Sequence, residues 1–417
     1  MNNLIQADST KKHAHMAICA IFFMESLVLG NWIPRIPDIK IQLELSSFAL
    51  GLCLFGLSLG TMIALVTTPL VTRAAGYRRT LSVAICGWAL TMVLPGWSPN
   101  AIALFVTLFI AGLFIGLTEV TMNTMADAIE KSLGKRIMSG CHGFWSLGSL
   151  AGALTGAAFA HFSIAVSIHF TIVLPLVAVG GAVFARMLPD MTDTTTATET
   201  SDQQQLQSDT KSSISWLPGL PRKSLLLLCV LPIGIMCVEG VFIDWSALFV
   251  RTELLASPMA TGIIYAFFSL IMAAMRLSGD RIVDRYGPVR VAQISAGAAT
   301  IGITLFAFSP NIIVAFLAAG IAGLGVANVY PLAMTAAAER EGDAADNVAA
   351  VALLSFSAFL LAPPITGWLA DLAGLRIALG VFAPLAATTL LLAGQLEPGS
   401  SRGAEKVSIQ TKTPAND

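Results

Sequence analysis

The sequence predicts an all-α integral membrane protein with 12 transmembrane helices, arranged as two pseudo-symmetric bundles of six. Three observations lead to this prediction. Hydrophobic residues make up 55% of the 417-residue chain and charged residues only 12%, about half the charged share of a soluble domain. Twelve apolar stretches are long enough to cross a bilayer. A polar stretch in the middle of the chain divides them six and six.

The apolar stretches define the domain organisation. In the N-terminal half they cover residues 16–34, 47–71, 80–97, 100–126, 138–160 and 165–187, and in the C-terminal half residues 224–250, 257–279, 291–308, 311–337, 347–369 and 374–394. We therefore expect a tail at 1–12, a six-helix bundle at 13–188, a linker at 189–222, a second bundle at 223–396 and a tail at 397–417. The linker has too few apolar residues to build a core, so it is predicted to be disordered.

The basic residues predict the orientation of the chain in the membrane. When the N-terminus is placed inside, 20 of the 24 Lys and Arg residues lie on the inner side, and the remaining four lie outside: Arg35, Lys40, Arg251 and Arg376. Cytoplasmic loops carry an excess of Lys and Arg. Both termini and the linker are therefore expected in the cytoplasm.

The two halves repeat a short acidic segment. MESLVLGNW, which ends at Trp32, is echoed by CVEGVFIDW, which ends at Trp245, so that Glu239 corresponds to Glu25. An acid near the centre of a span costs about 2.5–3.5 kcal/mol on insertion scales, and such residues are usually functional. Two acidic helices are thus expected at equivalent places in the two bundles.

The loop between the second and third spans of each half carries basic residues around a glycine. The C-terminal copy reads DRYGPVR from Asp284 to Arg290, and the N-terminal copy, RAAGYRR from Arg73 to Arg79, lacks the aspartate. Two six-helix halves with such loops resemble the major facilitator superfamily, whose signature is acidic-basic-x-Gly-basic. The glycine is expected to make a tight turn between the two helices. A positive-inside bias explains the cations but not their spacing around the glycine. The resemblance implies a gating role for Arg73, Gly76, Arg78, Asp284, Arg285, Gly287 and Arg290, with Asp284 as the better candidate for a lock.

Other stretches narrow the resemblance. GLTEVTMN at 116–123, MSGCHGFWSLG at 138–148 and DWSALFV at 244–250 are similar to the YbjJ-like group of bacterial proteins within the superfamily. This implies a multi-pass protein of the bacterial inner (plasma) membrane. A looser likeness is to the proton-coupled fucose symporter, which carries one acid on its first helix and one on its fourth. Glu25 and Glu119 occupy those helices here.

The resemblance also implies where the solute binds. Transporters of this superfamily bind it near the bilayer midplane between the two halves, in a cavity lined mainly by helices one, four, seven and ten. The candidate solute-binding residues are the polar and aromatic ones on these helices: Asn31, Trp32, Asn123, Asp244, Trp245, Asn328 and Tyr330. For Asp244 and Trp245, contact with the solute and a place at the membrane interface are both compatible with the sequence.

The candidates for proton coupling are Glu25, Glu119, Glu239 and His142. Burial of a carboxyl group disfavours its charged form and raises its pKa, which allows proton exchange near neutral pH. No Arg or Lys is expected to pair directly with these acids inside a span. For Glu25 and Glu119, packing through a hydrogen bond and direct solute binding are the alternatives. Glu239 is equally compatible with a structural role, and His142 with a place at the membrane interface rather than a proton relay.

The sequence therefore favours a secondary transporter that moves a small polar solute, with sugars among the candidates, by proton-coupled alternating access. Proton-driven efflux of amphipathic compounds or drugs is the alternative within this class. A non-transporting membrane sensor on a transporter scaffold is the alternative from another class. We expect no enzymatic activity, no cofactor, no metal site and no nucleic-acid partner, because no matching motif is evident. The expected partners are the solute, protons and the lipid bilayer, and one chain suffices as a monomer.

Overall fold

The computed structural model describes residues 2–135, 137–190, 223–341 and 344–397, where every regular element is a helix. The N-terminal half contains α1 (Asn2–Trp32), α2 (Ile36–Gln42), α3 (Ser47–Ala75), α4 (Tyr77–Thr91), α5 (Ala101–Leu133), α6 (Met138–His161) and α7 (Val166–Arg186). The C-terminal half contains α8 (Lys223–Val230), α9 (Ile233–Asp244), α10 (Ser246–Thr252), α11 (Pro258–Tyr286), α12 (Pro288–Ala307), α13 (Ile312–Val326), α14 (Val329–Ala338), α15 (Ala344–Ala373), α16 (Leu375–Gly380) and α17 (Phe382–Leu392). Short 3₁₀ turns lie at Ile33–Arg35, Leu94–Trp97 and Ala393–Leu396.

Eleven segments of the described chain are long and apolar enough to cross a membrane. The remaining predicted span is α6, whose 24 residues extend about 36 Å. Its many Gly and Ser residues and its two terminal His residues lower its hydropathy. Because α6 packs against α1 on one side and α11 on another, much of its surface is covered by protein. The prediction of an all-helical membrane fold is confirmed.

The structure describes only one of the three segments that were predicted to be tails or linker. Residues 2–12 continue the first helix, since α1 already begins at Asn2. The predicted linker at 189–222 and the tail at 397–417 lie almost entirely outside the described residues, so those boundaries stay predictions. We call the end of the bundle at which the first membrane span begins the proximal face, and the opposite end the distal face.

The two halves are built alike. In the N-terminal half α1 packs on α6 and α3 packs on α5, and between the halves α3 packs on α15 and α6 packs on α11. The second span of each half thus contacts the fifth span of the other, as expected for two units related by a pseudo-two-fold axis. We call these two inter-half contacts the seam.

Equivalent helices in the two halves begin with the same capping residues. Ser46 caps α3 and Ser257 caps α11, each accepting a hydrogen bond from the backbone N–H three residues on. Asn100 caps α5 and Asn311 caps α13 in the same way, and Ser-Pro precedes both asparagines. Such side chains satisfy backbone donors that a helix start leaves unpaired. The repeat that the sequence shows around Glu25 therefore extends through each half.

The glycines of the two basic loops adopt one backbone conformation. Gly76 has φ 80° and ψ 154°, and Gly287 has φ 78° and ψ 154°. This region is accessible essentially to glycine alone. Each glycine joins two long helices through a single residue, which confirms the tight turn predicted for these positions. The gating role of the motif stays a prediction.

Three spans of the C-terminal half are interrupted, which the sequence did not predict. The seventh span breaks before Pro232 and again at Trp245, the tenth breaks at Asn328, and the twelfth breaks at Val381. A proline has no backbone N–H to give to the carbonyl four residues earlier. For Pro331 that carbonyl is Ala327 O, which instead accepts a hydrogen bond of 3.3 Å from Arg276 Nε. The break in the tenth span therefore supplies an acceptor for a basic side chain on α11.

Glycines allow α6 to lie directly on α1. A Cβ atom added at Gly148 would overlap Phe23 O, one at Gly152 would overlap Leu27 O, and one at Gly156 would approach Asn31 O. The spacing of four residues places all three on one face of α6, and small residues of this kind permit close helix contact in membranes. The contact fixes α6 against α1 next to Glu25.

This packing predicts opposite outcomes for two glycines of α6. Gly152→Ala should lower the apparent melting temperature in detergent, because its Cβ atom meets backbone atoms of α1 that cannot move aside. Gly143→Ala is the control, since a Cβ atom at Gly143 would contact nothing and alanine favours a helix by about 0.5–1 kcal/mol. Equal melting temperatures for the two variants would contradict the close contact.

Candidate functional site

Glu25 lies in the middle of α1 and is buried, with 1% of its surface exposed. Its carboxylate Oε2 accepts a hydrogen bond of 2.6 Å from Trp145 Nε1 on α6. Its backbone carbonyl accepts a second one, 3.1 Å long, from Trp88 Nε1 on α4. The neighbouring Ser26 hydroxyl lies 2.5 Å from Trp145 O. The acidic turn of α1 is therefore held from two sides by indole groups, one of which contacts the carboxylate itself.

Glu119 lies on α5 and faces the same region. Its charge interacts electrostatically with that of Glu25. Asn123, one turn later on the same face, donates from Nδ2 to Glu119 Oε2 at 3.1 Å and to Glu119 O at 2.8 Å. Both side chains are partly exposed. The predicted i,i+4 pair on the fourth span is thus found as a hydrogen-bonded unit close to the acid of the first span.

The seam lies next to these acids. Ser149 is four residues after Trp145 on α6, and its hydroxyl is 3.4 Å from the hydroxyl of Tyr265 on α11. Ser149 and Tyr265 are both buried. Tyr265 also interacts electrostatically with Glu25 in its own surroundings and with Glu239 in the other half. The polar groups of the two halves therefore meet at Tyr265.

Glu239 differs from Glu25 because it has a cationic partner. Arg276 Nη2 on α11 lies 3.1 Å from Glu239 Oε1 and 3.3 Å from Oε2. The expectation that no basic residue pairs with the acids is wrong for this one. Arg276, which the orientation count placed on the inner side of the membrane, lies within the span Pro258–Gly279. The ion pair supports a structural role for Glu239 rather than proton exchange.

His142 lies at the proximal end of α6 with an exposed side chain. Its ring packs edge-on against Phe22 of α1, with ring centroids 5.3 Å apart. It also interacts electrostatically with Arg276 across the seam. The exposed His142 and the partly exposed Arg276 indicate that the polar residues at the seam are reached from the proximal face.

Two predicted solute-binding residues lie inside the N-terminal half instead of at the seam. Asn31 Oδ1 lies 2.9 Å from His169 Nε2, and its Nδ2 donates to Leu27 O at 2.8 Å. Trp32 packs on Phe170 in the hydrophobic core. Their hydrogen-bonding and packing capacity is used within the half, so we do not retain Asn31 and Trp32 as solute ligands.

The candidates on the seventh and tenth spans lie at the helix breaks. Asp244 ends α9 and forms no hydrogen bond or ion pair with the described residues. Trp245 follows in the core, and its buried indole N–H has no hydrogen-bond partner among the described residues. Asn328 Nδ2 at the second break is also buried and unpaired within the described chain. Tyr330 is half-buried and packs edge-on against Phe356. These positions stay predictions for solute contact.

The seam is closed on the distal side. Asp371 at the end of α15 accepts hydrogen bonds from the backbone N–H groups of Ser47, at 2.8 Å, and Phe48, at 2.9 Å, which begin α3 in the other half. Below this contact the backbones of the two helices touch, because Gly51 and Gly367 have no side chain to separate them. A carboxylate at a helix N-terminus also complements the helix dipole. We call this contact the distal clasp.

A second charged contact on the distal face surrounds Arg35. Its Nε atom lies 2.8 Å from Asp38 Oδ2, and Nη2 donates to Ile164 O at 2.7 Å. Asp38 in turn interacts electrostatically with Arg251 of the other half.

The basic loops on the proximal face have no such inter-half contact among the described residues. Arg78 pairs with Asp190 at 3.0 Å within its own half. The other charged residues of these loops are exposed: Arg73, Asp284, Arg285 and Arg290.

Comparison with known proteins identifies the family. The family model described as Major Facilitator Superfamily matches residues 18–357 and 241–414. The chain belongs to the major facilitator superfamily. It is thus a multi-pass membrane transporter and not an enzyme.

Two curated relatives to which the chain is similar are described as uncharacterised transporters. The chain is 28% identical over 376 residues to an uncharacterised transporter of Sinorhizobium fredii, covering 89% of this chain and 95% of the relative. It is 27% identical over 370 residues to an uncharacterised MFS-type transporter of Yersinia pestis, with 88% and 91% covered. These bacterial relatives agree with a plasma-membrane location. The narrower YbjJ-like grouping stays a prediction.

Solved structures share the fold at low sequence identity. A nucleoside transporter, NupG, superimposes with a TM-score of 0.72 at 13% identity, covering 92% of this chain and 100% of that one. The Escherichia coli fucose:proton symporter superimposes with a TM-score of 0.58 at 12% identity, with 92% and 98% covered. At such identities the likeness concerns the fold alone.

Sequence reasoning missed three residues of the polar region at the seam: Trp145, Tyr265 and Arg276. Trp145 was part of a stretch noted only for its resemblance, and Arg276 was counted only as a basic residue of the inner side. Tyr265 is one of only four tyrosines in the chain and lies mid-span in an apolar helix. A hydroxyl in that setting was the available signal, because a buried tyrosine O–H usually has a hydrogen-bond partner.

The Glu239–Arg276 pair predicts strongly non-additive stabilities. Glu239→Gln and Arg276→Gln should each lower the melting temperature, because each leaves an uncompensated charge in the span. The double variant should recover part of the loss, with an interaction energy of about 0.5–2 kcal/mol given the partial exposure of Arg276. The matched control is a cycle on Asp127 and Lys131, an exposed i,i+4 pair, where additivity within about 0.5 kcal/mol is expected. Additive losses at Glu239 and Arg276 would show that their contact contributes nothing.

The distal clasp predicts that Asp371→Asn opens the distal face. Asparagine loses the charge and one acceptor oxygen, a loss of about 0.5–1 kcal/mol at this exposed position. Nitroxide labels on Ile41 and Leu255, exposed distal residues of the two halves, would then report a larger population of long distances in pulsed electron paramagnetic resonance. Asp190→Asn, which removes a proximal ion pair within one half, should leave the distances unchanged. An unchanged distribution in Asp371→Asn would rule out the clasp.

Proposed function

We propose that this transporter moves a small polar solute, with sugars among the candidates, and that Glu25 and Glu119 couple the movement to protons. The observation that supports this most directly is the pair of carboxyl groups in the N-terminal half. Their charges interact, and neither forms an ion pair with a basic residue in the described chain, whereas Glu239 does. A carboxyl group without a cation can exist in a neutral and a charged form, as a proton carrier must.

The depth of the two acids supports the same role. Glu25 lies 12 residues after the start of its span at His13, and Glu119 lies 14 residues before the end of its helix at Leu133. At 1.5 Å per residue Glu25 is about 18 Å from the proximal end of its span, and Glu119 is about 21 Å from the proximal end of its helix. Solute and coupling-ion sites of such transporters lie near the midplane. The acids therefore lie at the depth at which coupling requires them.

The interaction between the acids favours partial protonation. Two carboxyl groups held close together repel each other when both are charged, so the pair is more stable when one of them carries a proton. Loss of this proton changes the charge next to Trp145 and Asn123, which contact Glu25 and Glu119. A proton equilibrium at this pair is thus linked to the hydrogen bonds that line the seam.

Polar side chains on the fourth, seventh and tenth spans favour a polar, hydroxylated solute. Asn123, Asp244 and Tyr330 offer hydrogen-bond donors and acceptors on these spans, and the ring of Phe356 packs against Tyr330. Binding sites for small molecules combine a few placed polar groups with apolar and aromatic walls. A nucleoside transporter and a fucose:proton symporter have this fold, and both of their solutes carry several hydroxyl groups. These likenesses guide the choice of solutes to test.

The excess of Lys and Arg on the proximal side suggests that this face is cytoplasmic. In that orientation the closed distal face corresponds to a state open toward the cytoplasm. Alternating access then requires the distal clasp to break and the proximal ends of the halves to approach each other. Arg73, Asp284 and the other residues of the basic loops are the candidates for holding that second state, because in this one they form no inter-half hydrogen bond or ion pair with the described residues.

Transport assays in proteoliposomes test the proposal. Monosaccharides, nucleosides and cationic dyes are screened against the unmodified protein with a pH-sensitive dye. A solute that alkalinises the outside when added there identifies symport, and this signal should be lost in Glu25→Gln and in Glu119→Gln. Asp127→Asn is the control on the same helix as Glu119, since Asp127 pairs with Lys131 on the surface and should not change proton movement.

Two outcomes would count against the mechanism. Proton movement opposite to that of a dye would indicate exchange, and hence the efflux alternative. Solute movement without protons, unchanged in Glu25→Gln and Glu119→Gln, would show that the acids are structural.

A further inference from the structure

Within the described chain, Trp145 alone donates a side-chain hydrogen bond to the Glu25 carboxylate. Its indole N–H contacts the Glu25 carboxylate at 2.6 Å, and its backbone carbonyl lies 2.5 Å from the Ser26 hydroxyl. It sits on α6, the helix that packs against α1 in its own half and against α11 in the other. The proton-coupling candidate of the N-terminal half is therefore bonded directly to a helix of the seam.

The same helix continues the contact to the other half. Ser149, one turn after Trp145, lies 3.4 Å from the Tyr265 hydroxyl. Residues at i and i+4 share a helix face, so Trp145 and Ser149 move together when α6 shifts. Farther along α6, Ala153 and Ala157 lie so close to Gly262 of α11 that a side chain there would overlap them. A small displacement of α6 at Trp145 is thus passed to α11.

The chemistry of the indole makes this bond sensitive to the proton on Glu25. An indole N–H is a donor only. Its bond to a charged carboxylate is shorter and roughly twice as strong as a bond to a neutral group. Protonation of Glu25 therefore weakens its bond to Trp145, and deprotonation strengthens it.

Few other charged or titratable groups compete with Trp145 around Glu25. α5 contributes Glu119, whose charge opposes ionisation of Glu25, and α11 contributes Tyr265. α6 also carries His142, which packs on Phe22, and α7 carries His169, which bonds Asn31. α4 contributes the indole of Trp88, which contacts only the backbone carbonyl of Glu25. Among these contacts, only the one from Trp145 donates a hydrogen bond to the carboxylate.

We propose that Trp145 is a positioning residue whose hydrogen bond to Glu25 changes in strength with the protonation state of that residue. The resulting shift of α6 carries this change to the seam. The inference rests on the proposed role of Glu25 as a proton carrier. In the ionised state the bond holds α6 in the place where Ser149 meets Tyr265. On protonation α6 is released, and the two halves become free to rock.

The test compares two tryptophans that bond the same residue. Trp145→Phe removes the donor to the carboxylate, and Trp88→Phe removes the donor to the backbone carbonyl. Infrared spectroscopy of the purified protein, without solute, follows the carbonyl band of protonated carboxyl groups during a pH titration. The band of Glu25 is assigned by its loss in Glu25→Gln. In Trp145→Phe its midpoint should move to higher pH by about one unit, because the carboxylate has lost a charge-assisted bond.

The controls separate this role from packing. Trp88→Phe should leave the midpoint unchanged even if it lowers stability, and Trp145→Gln, which keeps an N–H donor, should restore it in part. If Trp145→Phe does not fold, a difference in midpoint between Trp145→Gln and Trp145→Leu answers the same question. Equal midpoints for Trp145→Phe and the unmodified protein, or equal shifts in Trp145→Phe and Trp88→Phe, would overturn the inference.

Transmission to the seam is measured with the nitroxide labels on Ile41 and Leu255. In the unmodified protein their distances should change with pH at the infrared midpoint of Glu25, and this change should be lost in Trp145→Phe. Distances that still follow pH in Trp145→Phe would show that another contact transmits the signal. If the Glu25 band does not titrate in the unmodified protein, the proposed role of Glu25 fails. If it titrates but ignores Trp145, only this inference fails.

Discussion

The polar interior of this transporter depends on one constraint, which is that the charges of Glu25 and Glu119 interact within apolar helices and no cation pairs with them among the described residues. Burying an ionised carboxyl group is costly unless hydrogen bonds or opposite charges compensate. In the described chain the compensation comes from hydrogen bonds, from Trp145 to Glu25 and from Asn123 to Glu119. The glycine contact between α1 and α6 brings Trp145 within reach. Packing of the first and fifth spans thus serves the chemistry of the acids.

The two halves repeat the fold but not this chemistry. Their caps, glycine turns and seam contacts correspond, and the sequence echo pairs Glu25 with Glu239. Yet Glu239 is bonded to Arg276, which is further held by the carbonyl that Pro331 releases. The repeated scaffold therefore carries a carboxylate paired with an arginine in one half, and carboxyl groups without a cation among the described residues in the other.

The sequence predicted the fold from properties that act locally. Span length, the polar stretch in the middle, and glycine in the two basic loops each reflect the membrane or the backbone at one place, and the structure confirms the helical fold and the turns at Gly76 and Gly287. The candidate site could be predicted from the sequence only in part. Glu119 and Asn123 share a face by spacing alone, but the contacts of Trp145, Tyr265 and Arg276 join helices far apart in the chain. The burial of Asn31 and Trp32 inside the N-terminal half could not be predicted, because position on a helix does not show which neighbour covers it.

The energies of the distal clasp and of the Glu25–Trp145 bond are of comparable size, and this matters for coupling. A proton can shift the balance between two states only by the difference in its binding free energy to them. The clasp rests on two hydrogen bonds at an exposed helix start, worth about 1 kcal/mol. One charge-assisted bond in the interior is worth about 1.5–3 kcal/mol. A change at Trp145 is therefore large enough to offset the clasp, whereas a deeply buried ion pair on the distal face would hold the seam shut whether or not Glu25 carried a proton.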